Sequence, residues 1–382
     1  MKILFLDQSG QIGGAELCLV DIARPFRDNC LICLFADGPF RKLLEEKKIP
    51  VRVLANRSIR VRKQSSLMQG IGSIGVFTPM VAKVAEIAWE YDLIYANTQK
   101  ALVIGAIASL VARRPLVYHL HDILSAEHFS TANRRLAVTL ANRFASLVIA
   151  NSKATQTAFI EAGGRPELTE VVHNGFDPAI YHIQIQNSPQ TKQHLGLERR
   201  FVVGHFSRLS PWKGQHILLE ALTHCPDEVT AILVGDALFG EKQYVEQLHQ
   251  KVVELGLSKR VQFFGFRGEV APLMAVCDLI VHTSIAPEPF GRVIVEAMLC
   301  GRPVVAAAAG GALELIESGK TGWLVEPENI EELADAIAIC YHNPMLAKNI
   351  AQQAQKQAIE RFHLAAIEQK MTQLLRQVID FH

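Results

Sequence analysis

Residues 1–24, MKILFLDQSGQIGGAELCLVDIAR, contain the pattern that decides the fold: an apolar run, a glycine-rich loop and an apolar-periodic segment. The run Lys2–Asp7 predicts a buried strand, and the segment from about Ala15 to Arg27 predicts a helix. Glycines in such a loop let backbone amides approach a phosphate, and the helix N-terminus adds positive potential. Their spacing is not GxGxxG, so the dinucleotide fingerprint is lacking and a plain tight turn stays an alternative.

The same alternation of short apolar runs and helical patterns continues to the end of the chain. Further strands are expected at Cys30–Phe35, Val51–Leu54, Leu93–Asn97, Pro115–His119, Leu147–Asn151, Phe201–His205, Thr230–Val234, Val261–Phe264, Leu279–Thr283 and Pro303–Ala307. Strands that alternate with helices in this way are typical of parallel, doubly wound α/β sheets.

The chain is too long for one ordinary core, and residues 183–195 form a polar stretch without periodicity that predicts a linker. We therefore expect two Rossmann-like domains facing across a cleft, over residues 1–182 and 183–362. A last helix at about residues 363–382 could pack back on the first domain. Ligands of such sheets bind at the carboxyl ends of the strands.

Composition and charge are those of a soluble globular protein, with 49% hydrophobic residues, 20% charged residues and a net charge of +1. No global field favours nucleic acid. The first domain is mildly basic, largely through one stretch, and an apolar segment, Leu67–Ala88, follows it. That stretch comprises Arg52, Arg57, Arg60, Arg62 and Lys63. A solvated loop with a core helix, or a surface for anionic lipid or an acidic acceptor, would both fit.

Targeting signals and reactive cysteines are not evident. Asp7 and Gln8 interrupt the N-terminal apolar run, and the longest clean apolar run, Ala101–Ala112, is too short to span a membrane. A cytoplasmic protein is expected, with peripheral contact at the inner face of a membrane as an open alternative. Cys30 and Cys33 form a CxxC on a predicted strand, which sends their side chains to opposite faces and predicts buried thiols.

Two cations follow the first strand of the second domain. In SRLSPWKG, residues 207–214, Arg208 and Lys213 bracket a turn that precedes a predicted helix. An arginine fork and a lysine point charge at a strand end suit a diphosphate. Two ordinary surface cations are the alternative.

Two glutamates straddle a helix start in PEPFGRVIVEAM, residues 287–298. Pro289 and Gly291 expose the amides of the first turn, which is an anion site by geometry. Glu288 precedes the helix, whereas Glu296 lies inside an otherwise apolar helix and needs a partner. A ribose diol would supply two donors, and a neighbouring arginine is the alternative.

This segment resembles the E-x7-E signature of retaining GT-B glycosyltransferases in the large family 4 group, and the resemblance covers nearly the whole chain. Matching blocks are GGAE (13–16), NSKATQTAF (151–159), VVHNGFD (171–177), SRLSPWKG (207–214), EPFGRVIVEAMLCGRPVV (288–305) and GGALELIESGKTGWLVEP (310–327).

The resemblance implies a role for each matching residue. Arg208 and Lys213 would hold the donor diphosphate and stabilise the leaving group, Glu288 would contact the transferred sugar, and Glu296 would bind the ribose hydroxyls. The remaining donor-binding residues implied are the amides of Phe290, Gly291 and Arg292, the loop residues Gly13 and Gly14, and the base-binding loop residues Phe266 and Arg267.

The block YHLHD, residues 118–122, resembles the family's strand-end His-Asp block. The resemblance implies that His121 lies beside the donor sugar and takes part in catalysis. Metal binding is a rival interpretation, since His119 and His121 share a strand face, and a structural histidine is another. The resemblance implies an enzyme that needs no metal and no cofactor, and the lack of a D-x-D motif fits this expectation.

The family resemblance predicts a retaining glycosyltransferase of polysaccharide or glycoconjugate biosynthesis. It would move a sugar from a nucleotide-sugar donor to a glycan or lipid-linked acceptor, and a UDP-sugar, with UDP-glucose as the named candidate, is favoured over GDP-mannose. Ser207 replaces a frequent glycine, and Leu313 falls where many members have Pro-Glu, which bears on donor identity. A GT-B nucleotide-sugar epimerase and a non-catalytic nucleotide-sugar binding module remain alternatives.

Overall fold

The computed structural model describes residues 1–54, 74–237 and 241–382. Most of the predicted basic stretch (Arg57, Arg60, Arg62 and Lys63) and the start of the apolar segment after it lie outside the described residues. The chain divides into two compact units, Met1–Gly175 with Leu364–His382, and Phe176–His363.

The first unit is built on a seven-stranded parallel sheet. Its strands are β1 Ile3–Asp7, β2 Cys30–Leu34, β3 Val51–Val53, β4 Leu93–Ala96, β5 Leu116–Leu120, β6 Ala145–Ala150 and β7 Thr169–Val171. Its first helices are α1 Gly14–Ala23, α2 Pro39–Glu46, α3 Ile74–Ala88, α4 Gln99–Ala112, α5 Thr131–Phe144 and α6 Lys153–Glu161. The strand order is β3-β2-β1-β4-β5-β6-β7, which reverses direction between β1 and β4.

The second unit repeats this plan with six parallel strands. They are β8 Phe201–Phe206, β9 Val229–Val234, β10 Val261–Gly265, β11 Leu279–His282, β12 Val304–Ala307 and β13 Trp323–Val325. The helices are α7 Pro178–His194, α8 Gln215–Leu222, α9 Lys242–Glu254, α10 Ala271–Val276, α11 Arg292–Leu299, α12 Ala312–Leu315, α13 Ile330–His342 and α14 Pro344–Phe362. The order β10-β9-β8-β11-β12-β13 reverses between β8 and β11. Both units are therefore Rossmann-like, as predicted.

The sheets form because their strands are apolar on both faces, as a parallel sheet covered by helices requires. Every residue of β1, β2, β4 and β5 is buried. On β2, Cys33 packs into one core cluster and Cys30 into another. Burial raises the pKa of both thiols to about 12, so they act as small hydrophobes.

The predicted linker is wrong, because residues 183–194 belong to α7. The Asp177 carboxylate caps this helix by accepting from the Ala179 amide at 3.1 Å, and Pro178 occupies its first turn. Lys192 Nζ contacts Asp278 Oδ2 at 2.7 Å, and Tyr181 is buried. The helix packs on α10 with one face, and its outer face is polar. The sequence therefore shows no clear helical period of apolar residues.

The last helix, α15 Leu364–Asp380, belongs to the first unit. Arg24 Nη2 contacts Glu368 Oε1 at 2.8 Å, and Lys370 Nζ donates to the Val171 carbonyl at 2.7 Å. Met371 and Leu375 are buried in the core beneath the sheet. Among the described residues, no helix is both long and apolar enough to cross a membrane.

Candidate functional site

The loop after β8 lies where the strand order of the second unit reverses, which is the usual ligand position of such sheets. It carries Arg208 and, after a 3-10 turn over Pro211–Lys213, ends at Gly214. Gly214 has φ +68°, and a Cβ there would lie 1.9 Å from the Thr283 carbonyl oxygen. The Thr283 hydroxyl donates to the Gly214 carbonyl at 2.8 Å. Glycine therefore lets the loop close directly onto the end of β11.

Lys213 and Glu288 form an ion pair in this unit. Lys213 Nζ lies 2.5 Å from Glu288 Oε2, and both side chains are mostly buried. The ammonium also lies 3.9 Å from the centre of the Trp212 ring. His282 Nε2 at 3.2 Å and Ser284 Oγ at 3.1 Å contact the same carboxylate oxygen. One oxygen of Glu288 is thus held by three groups.

These contacts keep Glu288 ionised. Burial by itself would raise the pKa of this carboxyl, but the Lys213 ammonium and the hydrogen bond from His282 outweigh it, so the pKa lies well below its usual range. Burial lowers the pKa of Lys213, and Glu288 opposes that change. The site therefore holds a desolvated cation that a second anion could share.

Arg208 also lies near Trp212. Its guanidinium carbon is 5.9 Å from the Trp212 ring, and its Nε is 3.4 Å from Glu241 Oε2. Ser210 Oγ donates to Glu241 Oε1 at 2.6 Å, which positions that carboxylate. The two predicted cations thus lie near the same indole ring, where both could contact a diphosphate.

The loop that carries Glu288 is held by backbone contacts with the glycine loop Gly310–Gly311. Glu288 and Gly310 form a parallel bridge, and the Gly311 amide donates to the Glu288 carbonyl at 2.7 Å. Gly310 has φ +61°, and a Cβ there would lie 2.3 Å from that carbonyl oxygen. Leu313, the departure noted in the sequence, is 55% exposed just beyond it.

The start of α11 carries the predicted amides. The Phe290 ring packs between Phe176 and Phe362, at 6.4 and 5.7 Å between centroids, so the backbone is what this residue can offer a ligand. Gly291 takes φ +93° directly before the helix. This turn presents helix N-terminal amides at the edge of the sheet.

Glu296 is 7% exposed inside α11. Arg292 Nε lies 3.6 Å from Glu296 Oε1, and the Arg292 guanidinium stacks 4.6 Å above the Phe176 ring. Burial raises the pKa of Glu296, and Arg292 only partly offsets this. The neighbouring arginine considered from sequence is therefore present, at a distance longer than a hydrogen bond.

Phe266 and Arg267 follow β10 and are exposed, the Phe266 side chain by 56%. Gly265 takes φ +64° at the strand end, and its carbonyl accepts from the Gly235 amide at 2.9 Å. An exposed ring on a pinned loop suits stacking on a base.

In the first unit, a polar chain crosses the ends of β1, β4 and β5. Asn97 Nδ2 donates to Asp7 Oδ2 at 2.7 Å, and His121 Nε2 lies 2.9 Å from Asn97 Oδ1. Gly13 precedes α1, Gly14 begins it, and a Cβ on Gly13 would lie 2.8 Å from Glu16 Oε2. The predicted glycines and His121 therefore belong to the same strand-end surface.

Asp7 and Glu16, at this end of the first unit, are buried carboxyls with raised pKa values. Burial raises the pKa of Asp7 to about 6, and burial together with the nearby Asp7 raises that of Glu16 to about 8. Sequence reasoning did not single out Asp7, Glu16 or Asn97, nor His282 and Ser284 in the other unit. For Asp7, Asn97 and His282 the available signal was a polar residue at the end of an apolar strand.

Two family models match this chain, over ranges that follow one another. Residues 12–180 match the model described as Glycosyltransferase Family 4, and residues 187–357 match Glycosyl transferases group 1.

Individual relatives agree with these matches. The crystal structure of Anabaena HepE in complex with UDP-glucose is 60% identical, covers 99% of this chain and 100% of that one, and superposes with a TM-score of 0.91. D-inositol 3-phosphate glycosyltransferase of Mycobacterium marinum is 28% identical over 67% of this chain and 57% of its own length. Spore coat protein SA of Bacillus subtilis is 34% identical over 44% of this chain and 48% of its own length.

The chain spans about half the length of these two curated relatives. With both family matches and a 60% identical relative covered over its full length, the chain belongs to the GT-B glycosyltransferases related to family 4.

Proposed function

We propose that the protein is a retaining, metal-independent glycosyltransferase that uses a UDP-sugar, UDP-glucose in particular. The observation that carries this is the buried Lys213–Glu288 pair beside Arg208, at the strand end where a donor diphosphate would bind. The 60% identical HepE was crystallised with UDP-glucose, which supports the same donor here.

Leaving-group stabilisation is the chemistry that these residues would supply. As the sugar–phosphate bond breaks, negative charge grows on the departing UDP. Arg208, Lys213 and the helix N-terminus at Gly291 are positive groups held in place before the reaction begins. One such preorganised donor is worth about 3–4 kcal/mol of barrier in comparable anion sites.

The Glu288 carboxylate would accept hydrogen bonds from hydroxyl groups of the transferred sugar. His282 and Ser284 contact that carboxylate and would keep it oriented. Glu296 would accept from the ribose diol, and Phe266 would stack on the uracil. The family resemblance gives His121, whose Nε2 contacts Asn97, a role beside the donor sugar. Retention would follow if the acceptor hydroxyl attacks from the face that the diphosphate leaves.

The test is a panel of nucleotide sugars with a chelator present, using wild type, Glu288→Ala and the exposed-glutamate control Glu317→Ala. We expect wild type to release UDP from one UDP-sugar while the chelator is present. Glu288→Ala should lose this activity, and Glu317→Ala should keep it. Turnover that requires added metal, or that survives in Glu288→Ala, would contradict the proposed site.

Stereochemistry needs a separate measurement. Proton NMR of the product formed from an α-linked UDP-sugar should show an α-linked sugar from the first turnover. A β-linked product would overturn retention and leave the transferase activity standing. Inversion of a sugar stereocentre in the absence of acceptor would instead favour the epimerase alternative.

The acceptor would be a glycan or a lipid-linked saccharide in polysaccharide or glycoconjugate synthesis, reached at the inner face of a membrane. Exposed Trp89, Leu110 and Val111 at the ends of α3 and α4, beside Arg113 and Arg114, support contact with anionic lipid. Liposomes rich in anionic lipid should bind wild type and lose binding when Arg57, Arg60, Arg62 and Lys63 become Glu. Unchanged binding would remove membrane contact through the basic stretch.

A further inference from the structure

Cys18, His119 and His121 come together in the first unit from separate elements. Cys18 lies on α1, His119 in β5 and His121 directly after that strand. Each offers a ligand atom, and the three atoms lie within 4.8 Å of one another. Cys18 and His119 are almost fully buried, at 3% and 1% exposure.

His119 has one nitrogen engaged and one not. Its Nδ1 lies 2.7 Å from the Tyr95 hydroxyl, whereas Nε2 is buried and makes no hydrogen bond to any residue in the described ranges. A buried polar atom without a partner is costly and uncommon. If Nδ1–H donates to Tyr95, the lone pair on Nε2 is left to face a cation.

Hydrogen bonding fixes His121 in the tautomer with its proton on Nε2. Because the Asn97 amide nitrogen donates to Asp7, the Asn97 carbonyl oxygen must accept from His121 Nε2. The remaining lone pair of that ring is then on Nδ1. The centroids of the two imidazole rings lie 3.8 Å apart. The lone pairs on His119 Nε2 and His121 Nδ1 are therefore close enough to bind one ion.

We propose that Cys18 Sγ, His119 Nε2 and His121 Nδ1 form a site for Zn²⁺. One thiolate and two imidazoles are ligands that zinc prefers, with a fourth, open position for water. Tyr95 and Asn97 are the outer partners that orient the two histidines, as is usual at zinc sites. Binding would release the Cys18 thiol proton to solvent.

The site would inhibit rather than assist the reaction, a consequence that rests on the function proposed above. A metal on His121 would engage the side chain to which the proposed function gives a role beside the donor sugar. Zinc should therefore suppress transfer at stoichiometric amounts, and Cys18→Ala should relieve that suppression.

Binding is tested without any activity assay. Tag-free, reduced, chelator-washed full-length protein is titrated with Co²⁺, whose thiolate charge-transfer band reports a sulfur ligand. One equivalent with this band is expected in wild type and in Cys30→Ala, another buried thiol of the same unit. The band should vanish in Cys18→Ala and Cys18→Ser. Tyr95→Phe should keep the band and weaken Zn²⁺ affinity by about 10- to 100-fold.

A wild-type protein without the band, or a band that persists in both Cys18 variants, would overturn the site. X-ray absorption at the zinc edge gives a check that needs no variant: one sulfur and two imidazole nitrogens are expected, and a shell of nitrogen and oxygen alone contradicts the proposal. Metal-free protein that transfers no sugar, but still gives this band when Co²⁺ is added, would refute the proposed transferase and leave the site intact.

Discussion

Lys213 and Glu288 lie 75 residues apart in the chain, yet Nζ and Oε2 meet at 2.5 Å with both side chains mostly buried. Each comes from a loop at the end of a strand, Lys213 after β8 and Glu288 between β11 and α11. Glu288 neutralises Lys213 at the place where a diphosphate would bind. A donor phosphate would therefore meet a cation that is already desolvated and positioned.

Removing the cation should destabilise the second unit. Lys213→Met leaves the ionised Glu288 buried without its partner, so we expect the free energy of unfolding to fall by about 3–5 kcal/mol. Adding Glu288→Gln should recover most of this loss, because the stranded charge is then gone. Urea denaturation of both single variants and the double variant measures the coupling.

The exposed pair Lys320–Glu317 supplies the control, with both side chains more than half exposed. Lys320→Met should change stability by no more than about 1 kcal/mol. Equal, small effects at Lys213 and Lys320 would mean that burial of the Lys213–Glu288 pair is without energetic consequence.

Gly214 and Gly256 provide a matched pair of backbone variants, with φ +68° and +70°. A Cβ at Gly214 would collide with the Thr283 carbonyl, whereas one at Gly256 has nothing within 4 Å. Gly256→Ala should cost only the left-handed strain, about 1–2 kcal/mol. Gly214→Ala should cost more and also weaken UDP binding, since the loop carrying Lys213 must shift. Calorimetric titration with UDP distinguishes them, and equal behaviour of the two variants would contradict this account of the loop.

Acid stability should depend on His205. Burial, with the nearby His282, lowers the pKa of this imidazole from 6.5 to about 3, while its Nε2 contacts Thr283 Oγ1 at 3.0 Å. Between these pH values the unfolded chain binds a proton that the folded protein does not, so stability falls as pH drops below about 6.5. The loss is at most about 1.4 kcal/mol per pH unit.

His205→Gln keeps a donor near Nε2 and removes this titration. Denaturant midpoints from pH 7.5 to 4.5 should therefore fall less steeply in the variant than in wild type. Parallel pH profiles for the two proteins would show that His205 titrates normally.

Glu296 should act on the nucleotide rather than on the chemical step. Glu296→Gln keeps the size of the side chain and loses the charged acceptor, so UDP affinity should weaken by about 10- to 100-fold. Wild type should also lose affinity for 2′-deoxy-UDP or 3′-deoxy-UDP, whereas the variant should barely discriminate. A variant that still discriminates fully would assign the diol to another residue.

The fold could be predicted because its strands are buried on both faces, so that runs such as Cys30–Leu34 are apolar throughout. The three-residue strands β7 and β13 are too short to show any period. Helix α7 was missed for another reason: its buried face is narrow, and only the Asp177–Pro178 start marked it.

Candidate site residues could be found where they follow a strand within a recognisable block, as Arg208 and Glu288 do. Residues that do not belong to a recognisable sequence block have no motif spacing by which to find them. Asn97 is one amide after an apolar strand, and Cys18 is one thiol in an apolar helix. Their significance depends on which strand ends lie side by side, which follows from the sheet order rather than from local sequence.

The leaving-group role of Arg208 is the central claim, and one comparison tests it: turnover at saturating UDP-glucose, and the donor Kd, in wild type, Arg208→Ala and the exposed control Arg199→Ala. We predict that Arg208→Ala lowers kcat by about 10²–10³-fold while Kd changes much less, with Arg199→Ala unaffected. A weakened Kd with kcat unchanged would contradict the account, because Arg208 would then bind the donor without stabilising the departing UDP.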